Sequence, residues 1–191
     1  MARAAVSADT SQRILDVAER LVQTRGFNGF SYADIAEALE VTKASLHYHF
    51  PTKGDLGKRL IERYEEGFLA ALRSIDSAGA GARDKLKRYI RIYADVLRDN
   101  RMCLCGMLAS DYATLPKPMK EEVKHFFDEN EQWLAAVLDA GRKAGNLEFK
   151  GSALELARAM VGSLEGAMML ARSYGEVSRF DTAAERLIAA L

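Results

Sequence analysis

Apolar residues recur at intervals of three and four residues along almost the whole chain, and this spacing is what most constrains the fold. Leu56, Leu60, Tyr64, Phe68 and Leu72 show the pattern most clearly, because they lie four residues apart and fall on one side of a helix. The 191 residues include only 3 Pro, and runs of β-branched residues are sparse. The sequence therefore predicts an all-α protein of about nine helices, long enough to enclose a sizeable core.

Two short helices joined by a tight turn are predicted over Tyr32–Phe50. Ser31 is a good N-cap residue and forms a capping-box pattern with Asp34 at the start of the first helix. Thr42 is a second N-cap candidate. Pro51 ends the second helix, because the residue before a proline disfavours the α region. A pair of short helices with this spacing is typical of a helix-turn-helix.

The second of these helices presents a polar outer face. Leu46 and Phe50 lie four residues apart and are expected to point inward, which leaves small residues, hydrogen-bonding groups, a cation and an aromatic hydroxyl outside. A helix-turn-helix places side chains of these kinds in the DNA major groove. His47 and His49 diverge in direction on a helix, so a metal site formed by this pair is not favoured. The predicted DNA contacts are Thr42, Lys43, Ala44, Ser45, His47, Tyr48 and His49.

The stretch Gly26–Leu56 resembles the DNA-binding domain of the TetR (tetracycline repressor) family. The resemblance rests on VTKASLHYHFPTKGDL, in which a Thr cap, a Lys with a small residue, an aromatic and His pair and a Phe precede a Lys, an acid and a Leu that open a long helix. It implies an N-terminal three-helix helix-turn-helix DNA-binding domain, residues 1–52. A larger helical ligand-binding and dimerisation domain, residues 53–191, is expected to follow.

The same resemblance assigns roles to particular residues and partners. In that family the Lys that opens the long helix and the Tyr of the recognition helix clamp phosphates, and these residues correspond to Lys53 and Tyr48. The resemblance also implies a homodimer formed by the two C-terminal helices, whose apolar faces have no further partner in the chain. The expected protein is a homodimeric transcriptional repressor that leaves a palindromic operator when an effector acts on it.

The helices beyond Ser77 are predicted to enclose an apolar cavity for a small apolar or electrophilic effector. Tyr89 and Tyr93 fit two interpretations, ordinary core residues with satisfied hydroxyls or part of the cavity lining. The candidate lining residues are Phe68, Tyr89, Tyr93, Cys103, Met107, Phe126, Trp133, Met160 and Met168.

Cys103 and Cys105 lie two residues apart in the segment NRMCLCGML. They fit three interpretations: buried inert cysteines, a thiol that senses oxidants or electrophiles, or part of a soft-metal site. Arg101 would favour a thiolate nearby, and Cys103 corresponds best to the sensing cysteine that some members of the resembling family carry. A thiol- or metal-dependent sensor is the alternative function, although no neighbouring Cys or His cluster supplies further metal ligands.

Charge and motif content narrow the remaining classes of protein. The formal net charge is zero, and residues 1–60 contain 8 Lys+Arg against 7 Asp+Glu, so DNA binding must depend on a local cationic face. No apolar run approaches the length of a membrane span and no signal-peptide core is present, so we expect a cytoplasmic protein. No catalytic triad pattern, phosphate loop or HExxH appears, so we expect neither an enzyme nor a cofactor.

Overall fold

The computed structural model describes residues 2–191, with side chains from residue 9 onward, and within that range every regular element is helical. Nine α-helices and one short 3₁₀ turn follow one another without a strand in this part of the chain, which confirms the all-α prediction. They are α1 (Ala2–Arg25), α2 (Tyr32–Leu39), α3 (Lys43–His49), α4 (Lys53–Ser77), α5 (Ala82–Arg98), α6 (Leu104–Ser110), the 3₁₀ turn (Tyr112–Thr114), α7 (Lys117–Lys143), α8 (Ala153–Tyr174) and α9 (Val177–Ala189).

Side-chain caps fix where several of these helices begin. In a capping box the hydroxyl accepts from the backbone N–H three residues on, and the acid there accepts from the N-cap N–H, so two otherwise unpaired donors are satisfied. The three pairs are Ser31 with Asp34, Thr52 with Asp55, and Ser152 with Glu155. At the other end of α1, Gly26 adopts φ +79°, a left-handed conformation that stops the helix.

Two helices begin earlier than the apolar pattern predicts. Helix α9 begins at Val177 without a side-chain cap rather than near Asp181, because Phe180 is fully buried and its packing holds the first turn. Helix α7 begins at Lys117 and includes Pro118 in its first turn, whereas the apolar pattern alone predicts a start near Met119. A proline is tolerated in the first turn of a helix, where its missing N–H has no intrahelical acceptor.

The chain forms two compact units. The first comprises the residues up to Glu65 together with Leu104–Lys124, and the second comprises Glu66–Cys103 with His125–Leu191. The first has a core of aliphatic side chains from α1 to α4 that includes the fully buried Ile14, Ile35 and Leu46. The second has a more aromatic core built on α5, α7, α8 and α9. Across the described residues, no helix is both long enough and apolar enough to cross a membrane.

Candidate DNA-binding site and effector region

Helix α3 is short, and its two ends and inner face are fixed by local contacts. Thr42 caps it, since its hydroxyl oxygen accepts from the Ser45 N–H at 3.2 Å. Leu46 is fully buried and Phe50 is nearly so, as the sequence predicts. These contacts seat the helix firmly on the first unit and determine which side chains face outward.

The outer side of α3 carries the predicted polar face. Tyr48 is 80% exposed, an unusually high value for a tyrosine in a folded domain. Thr42, Lys43, Ala44 and His47 are also exposed, whereas Ser45 and His49 are half-buried. A large aromatic side chain held outward on a rigid helix is available to a partner, so this face is the leading candidate for a binding surface.

His47 has neighbours within the protein as well as exposure. Its Nδ1 lies 3.1 Å from the Pro51 carbonyl oxygen, and its ring centroid lies 4.8 Å from that of Tyr32. The Tyr32 hydroxyl in turn lies 2.7 Å and 2.8 Å from the carbonyl oxygens of Phe50 and Thr52. Burial, followed by the charge of Asp55, raises the pKa of Tyr32 to about 12. Tyr32 therefore fastens the turn after α3 to α2, a role that no sequence pattern indicated.

The ammonium group of Lys53 is partly buried and contacts other groups of the protein, so phosphate binding cannot be its sole role. Its ammonium donates to the carbonyl oxygens of Phe27 and Phe30, and lies 4.6 Å and 4.0 Å from the centroids of their rings. Burial lowers the pKa of Lys53, and the charges of Asp34 and Asp111 oppose that shift. Lys53 thus joins the start of α4 to the turn between α1 and α2.

The same ammonium also borders a shallow depression on the surface of the first unit. The depression has a volume of about 370 Å³, and its lining residues are Phe30, Ser31, Tyr32, Ala33, Lys43, His47 and Lys53. Two lysines and the N-terminal end of α2 give it a positive character. An ammonium has three donors, and two of those of Lys53 are committed to carbonyl oxygens. One donor is left for an anion in the depression.

Asp111, which follows α6, holds the turn after α1. Its Oδ2 accepts from the backbone N–H of Phe27 at 2.7 Å and of Asn28 at 3.3 Å. The Asn28 amide donates to the Thr114 hydroxyl at 2.8 Å. A Cβ built on Gly26 would lie only 2.9 Å from Asp111 Oδ2, so the close approach requires glycine. Sequence analysis assigned no role to Asp111.

The second unit brings together five of the nine predicted lining residues. The rings of Phe68 and Phe126 lie 5.0 Å apart, Phe68 meets Tyr89 and Tyr93 edge-on at 6.4 Å, and Trp133 stacks on Tyr89 at 5.5 Å. We call these five rings the aromatic cluster: Phe68, Tyr89, Tyr93, Phe126 and Trp133. Met160, Met168 and Cys103 are also buried in this unit. Met107 belongs to the first unit, where its methyl group approaches Gly26.

A buried amide completes the hydrogen bonding of the two tyrosines in the aromatic cluster. The Tyr89 hydroxyl donates to Asn130 Oδ1 at 2.8 Å, Asn130 Nδ2 donates to the Tyr93 oxygen at 2.9 Å, and the two hydroxyls lie 3.0 Å apart. A Tyr93 hydroxyl that donates to Tyr89 closes the ring, so each hydroxyl donates once and accepts once. Burial raises the pKa of both tyrosines. Asn130, which the sequence analysis missed, is fully buried.

Cys103 lies immediately before α6, in the second unit, and is almost fully buried. Its thiol hydrogen-bonds to the carboxyl group of Glu165 on α8. Burial raises the pKa of Glu165 to about 7. The predicted helper Arg101 pairs with Asp99 at 2.8 Å. A carboxylate beside a sulfur opposes a second negative charge there, so the surroundings of Cys103 do not favour a thiolate.

Cys105 lies within α6 and is fully buried. The two cysteines therefore do not share a helix, because α6 begins between them at Leu104. Among the residues with described side chains, no group of three His, Cys, Asp or Glu is placed to hold a metal ion. The metal-dependent alternative has no support from these contacts.

Comparisons with known proteins match both parts of the chain. Residues 14–60 match the family model for bacterial regulatory proteins of the tetR family, and residues 82–187 match the tetracyclin repressor-like C-terminal domain. The transcriptional repressor DhaR of Mycobacterium sp. (strain GP1) is 23% identical over 162 residues, which is 83% of this chain and 80% of that protein. The transcriptional regulator RutR of Escherichia coli O157:H7 is 31% identical over 146 residues, 73% of this chain and 66% of that protein.

A solved structure matches the whole fold. The crystal structure of a TetR-family transcriptional regulator from Agrobacterium tumefaciens superposes with a TM-score of 0.94 at 30% sequence identity, over 97% of this chain and 98% of that chain. These relatives are named as regulators, which is a non-enzymatic role. The match over more than half of the sequence, the exposed face of α3 and the shared fold lead to one conclusion: the chain is a DNA-binding transcriptional regulator that belongs to the TetR family.

Proposed function

We propose that this regulator is a cytoplasmic homodimeric repressor that binds a palindromic operator and is released by a small molecule. The observation that carries the proposal is the outward face of α3, where Tyr48 is 80% exposed on a helix anchored by Leu46 and Phe50. Residues 1–52 would read DNA, and residues 53–191 would bind the effector and form the dimer. The repressor DhaR and the regulator RutR provide precedent for this class of protein.

The proposed DNA contacts divide into two kinds. Tyr48, Lys43 and Lys53 would contact phosphates, because a phenol and two ammonium groups donate hydrogen bonds to phosphate oxygens without reading sequence. The remaining exposed or half-exposed groups on α3 can meet base edges in the major groove. The full set of proposed contacts is Thr42, Lys43, Ala44, Ser45, His47, Tyr48, His49 and Lys53.

The proposed dimer forms through α8 and α9. One side of α8 is buried within the subunit, whereas Met169, Leu170 and Tyr174 on the same helix are 55%, 61% and 61% exposed. Large apolar side chains grouped on a helix face mark a protein contact surface. A second copy covering this face would give a dimer with two α3 helices, and helix-turn-helix dimers place such helices in major grooves about 34–36 Å apart.

The second unit provides the proposed effector site. Its aromatic cluster includes two tyrosine hydroxyls, so it offers a ligand apolar faces and a small number of polar groups. The burial of Cys103 and its bond to Glu165 favour reversible ligand binding over electrophilic modification of the thiol. Cys103 directly precedes α6, and Asp111 after α6 holds the turn between α1 and α2. Movement of this backbone segment is the proposed link between ligand and DNA.

Selection of bound fragments from random duplex DNA, followed by gel-shift titration, tests the proposal. Wild-type protein should select a palindrome with half-sites about one helical turn apart. Tyr48→Ala should weaken binding to the selected site, whereas Tyr112→Ala, which removes a less exposed tyrosine outside α3, should not. Failure to bind any duplex at low salt, or equal affinity of both variants, would contradict the proposed role of α3.

A further inference from the structure

A carboxylate oxygen is buried without a partner in the second unit. Glu165 lies on α8 and is half-buried as a whole, yet its Oε1 is fully buried and has no hydrogen-bond partner among the side chains the structure describes. The Cys103 thiol lies beside the same carboxyl group. Within the same described range, Glu165 also forms no ion pair. Neither the DNA contacts nor the dimer face explains this group.

An unsatisfied buried carboxylate is costly, so its presence needs a physical reason. Burying a polar group without a hydrogen bond is unfavourable, and burying an unpaired charge is more so. Natural proteins keep few such groups, and those that they keep are often functional. A hydrogen-bond donor or a positive charge supplied from outside the chain would satisfy Oε1.

The surroundings of Glu165 indicate which kind of donor fits. Helix α8, which carries Glu165, packs against α5, which carries Tyr89 and Tyr93. Burial raises the pKa of both tyrosines, and the negative charge of Glu165 adds to that rise. These tyrosines belong to the aromatic cluster, together with Phe68, Phe126 and Trp133. Aromatic faces attract cations, and organic ammonium ions are recognised by several such faces acting together.

We propose that the second unit binds a small organic cation, a substituted ammonium whose positive centre approaches Glu165 Oε1 while its alkyl groups contact the aromatic cluster. The Tyr89, Tyr93 and Asn130 side chains hydrogen-bond to one another, whereas Glu165 Oε1 has no such partner among the described side chains. This inference deepens the proposed function, because it rests on the second unit being the effector site and names the chemical class of the effector.

Trp133 provides the route by which a ligand reaches this position. It is half-buried, stacks on Tyr89 and donates from its indole N–H to Asp76 at 2.8 Å. Its outer side borders a surface cleft of about 340 Å³ that also contains Asp76 and Lys85. Rotation of this one ring would open the aromatic cluster to the cleft.

A matched pair of compounds tests the positive charge directly. (3-Hydroxyphenyl)trimethylammonium and 3-tert-butylphenol have nearly the same shape, but only the first is charged. In titration calorimetry of the full-length protein, the cation should bind at least about tenfold more tightly, because the carboxylate and the aromatic faces both attract its positive charge. Emission from Trp133, the single tryptophan of the chain, should change on saturation. Equal binding of the two compounds, or no saturable binding of the cation, overturns the proposal.

Glu165→Gln tests the residue. The variant should lose about tenfold or more of its affinity for the cation, because it lacks the charge that attracts the cation, and should keep its affinity for the neutral compound. Glu185→Gln, which removes an exposed carboxylate on α9, is the matched control and should bind as wild type does. If Glu165→Gln binds the cation as tightly as the wild type does, the cation binds at a site without Glu165, and the proposal is overturned. If that variant does not fold, the wild-type comparison of the two compounds decides alone.

The outcomes also separate this inference from the proposed function. Gel-shift titration without any ligand reports DNA binding alone. Protein that binds the operator but not the cation would contradict only the ligand assignment. Protein that binds the cation through Glu165 but no duplex would contradict only the regulatory role.

Discussion

Replacing Lys53 with methionine tests two roles that the structure gives to one ammonium group. Lys53→Met keeps an unbranched apolar side chain of similar length and removes the charge and all three donors. The carbonyl oxygens of Phe27 and Phe30 then lose their partner, and the rings of the same residues lose a cation at 4.6 Å and 4.0 Å. The substitution therefore affects both the stability of the first unit and any phosphate contact.

The size of the stability effect follows from these contacts. A hydrogen bond to a charged group contributes about 1.5–3 kcal/mol, and each cation–π contact adds about 0.5–1 kcal/mol. The burial that lowers the pKa of Lys53 offsets part of this gain. We expect a net loss of about 3 kcal/mol, which corresponds to a fall in Tm of about 6–12 °C for a chain of this length.

The DNA contact is measured separately by salt dependence. Each phosphate contact contributes about 0.9 to the slope of log affinity against log salt concentration, so a dimer that loses one contact per subunit should lose about 2 from the slope. Lys43→Met is the matched control, because Lys43 borders the same depression and is exposed. It should show the same slope change with nearly unchanged Tm. An unaltered Tm in Lys53→Met would refute the structural role, and an unaltered slope would refute the phosphate contact.

Three further substitutions test other parts of the molecule. Burial raises the pKa of Glu165 from 4.5 to about 7, so its contribution to stability is fully present below about pH 4.5 and is lost as pH rises through 7. Between pH 4.5 and pH 7 and above, the free energy of unfolding of the wild type should therefore fall by about 3 kcal/mol relative to that of Glu165→Gln. Parallel profiles of Tm against pH for the two proteins would contradict this. Leu170→Glu should convert the dimer to monomer in sedimentation, whereas Leu154→Glu, near the start of α8, should have less effect. Asp111→Asn should lower Tm by about 2–6 °C, because a neutral amide oxygen accepts the two N–H bonds less strongly, and an unchanged Tm would show that these bonds contribute little.

Local chemistry made much of the fold predictable from the sequence. The capping box of Ser31, the cap of Thr42 and the stop at Gly26 involve residues within four positions of each other, so their geometry depends little on the rest of the chain. The orientation of α3 followed from the spacing of Leu46 and Phe50. The face that remained outside could then be named residue by residue.

Contacts between distant segments were not predictable in the same way. Lys53 bonds carbonyl oxygens 23 and 26 residues away, and Asn130 bonds tyrosines 37 and 41 residues away. Glu165 on α8 meets Cys103, which lies in the segment before α6. No periodicity encodes such pairs, because they depend on how helices pack. A polar residue on an otherwise apolar face, as at Asn130, was the one available signal.

The packing of the aromatic cluster bears on how an effector could act. Its five rings contact one another and its two hydroxyls are satisfied by Asn130, so a ligand must first open a compact arrangement. The apparent affinity then equals the intrinsic affinity multiplied by the fraction of molecules in which Trp133 has moved aside. A ligand that makes no additional favourable contact in the open state would not offset the cost of moving Trp133. The attraction between a positive charge and Glu165 Oε1 is such a contact, since the packed state leaves this oxygen without a hydrogen-bond partner among the described residues. Weakening the Trp133 bond, for example by Asp76→Ala, should accordingly tighten cation binding without altering the Glu165 contact.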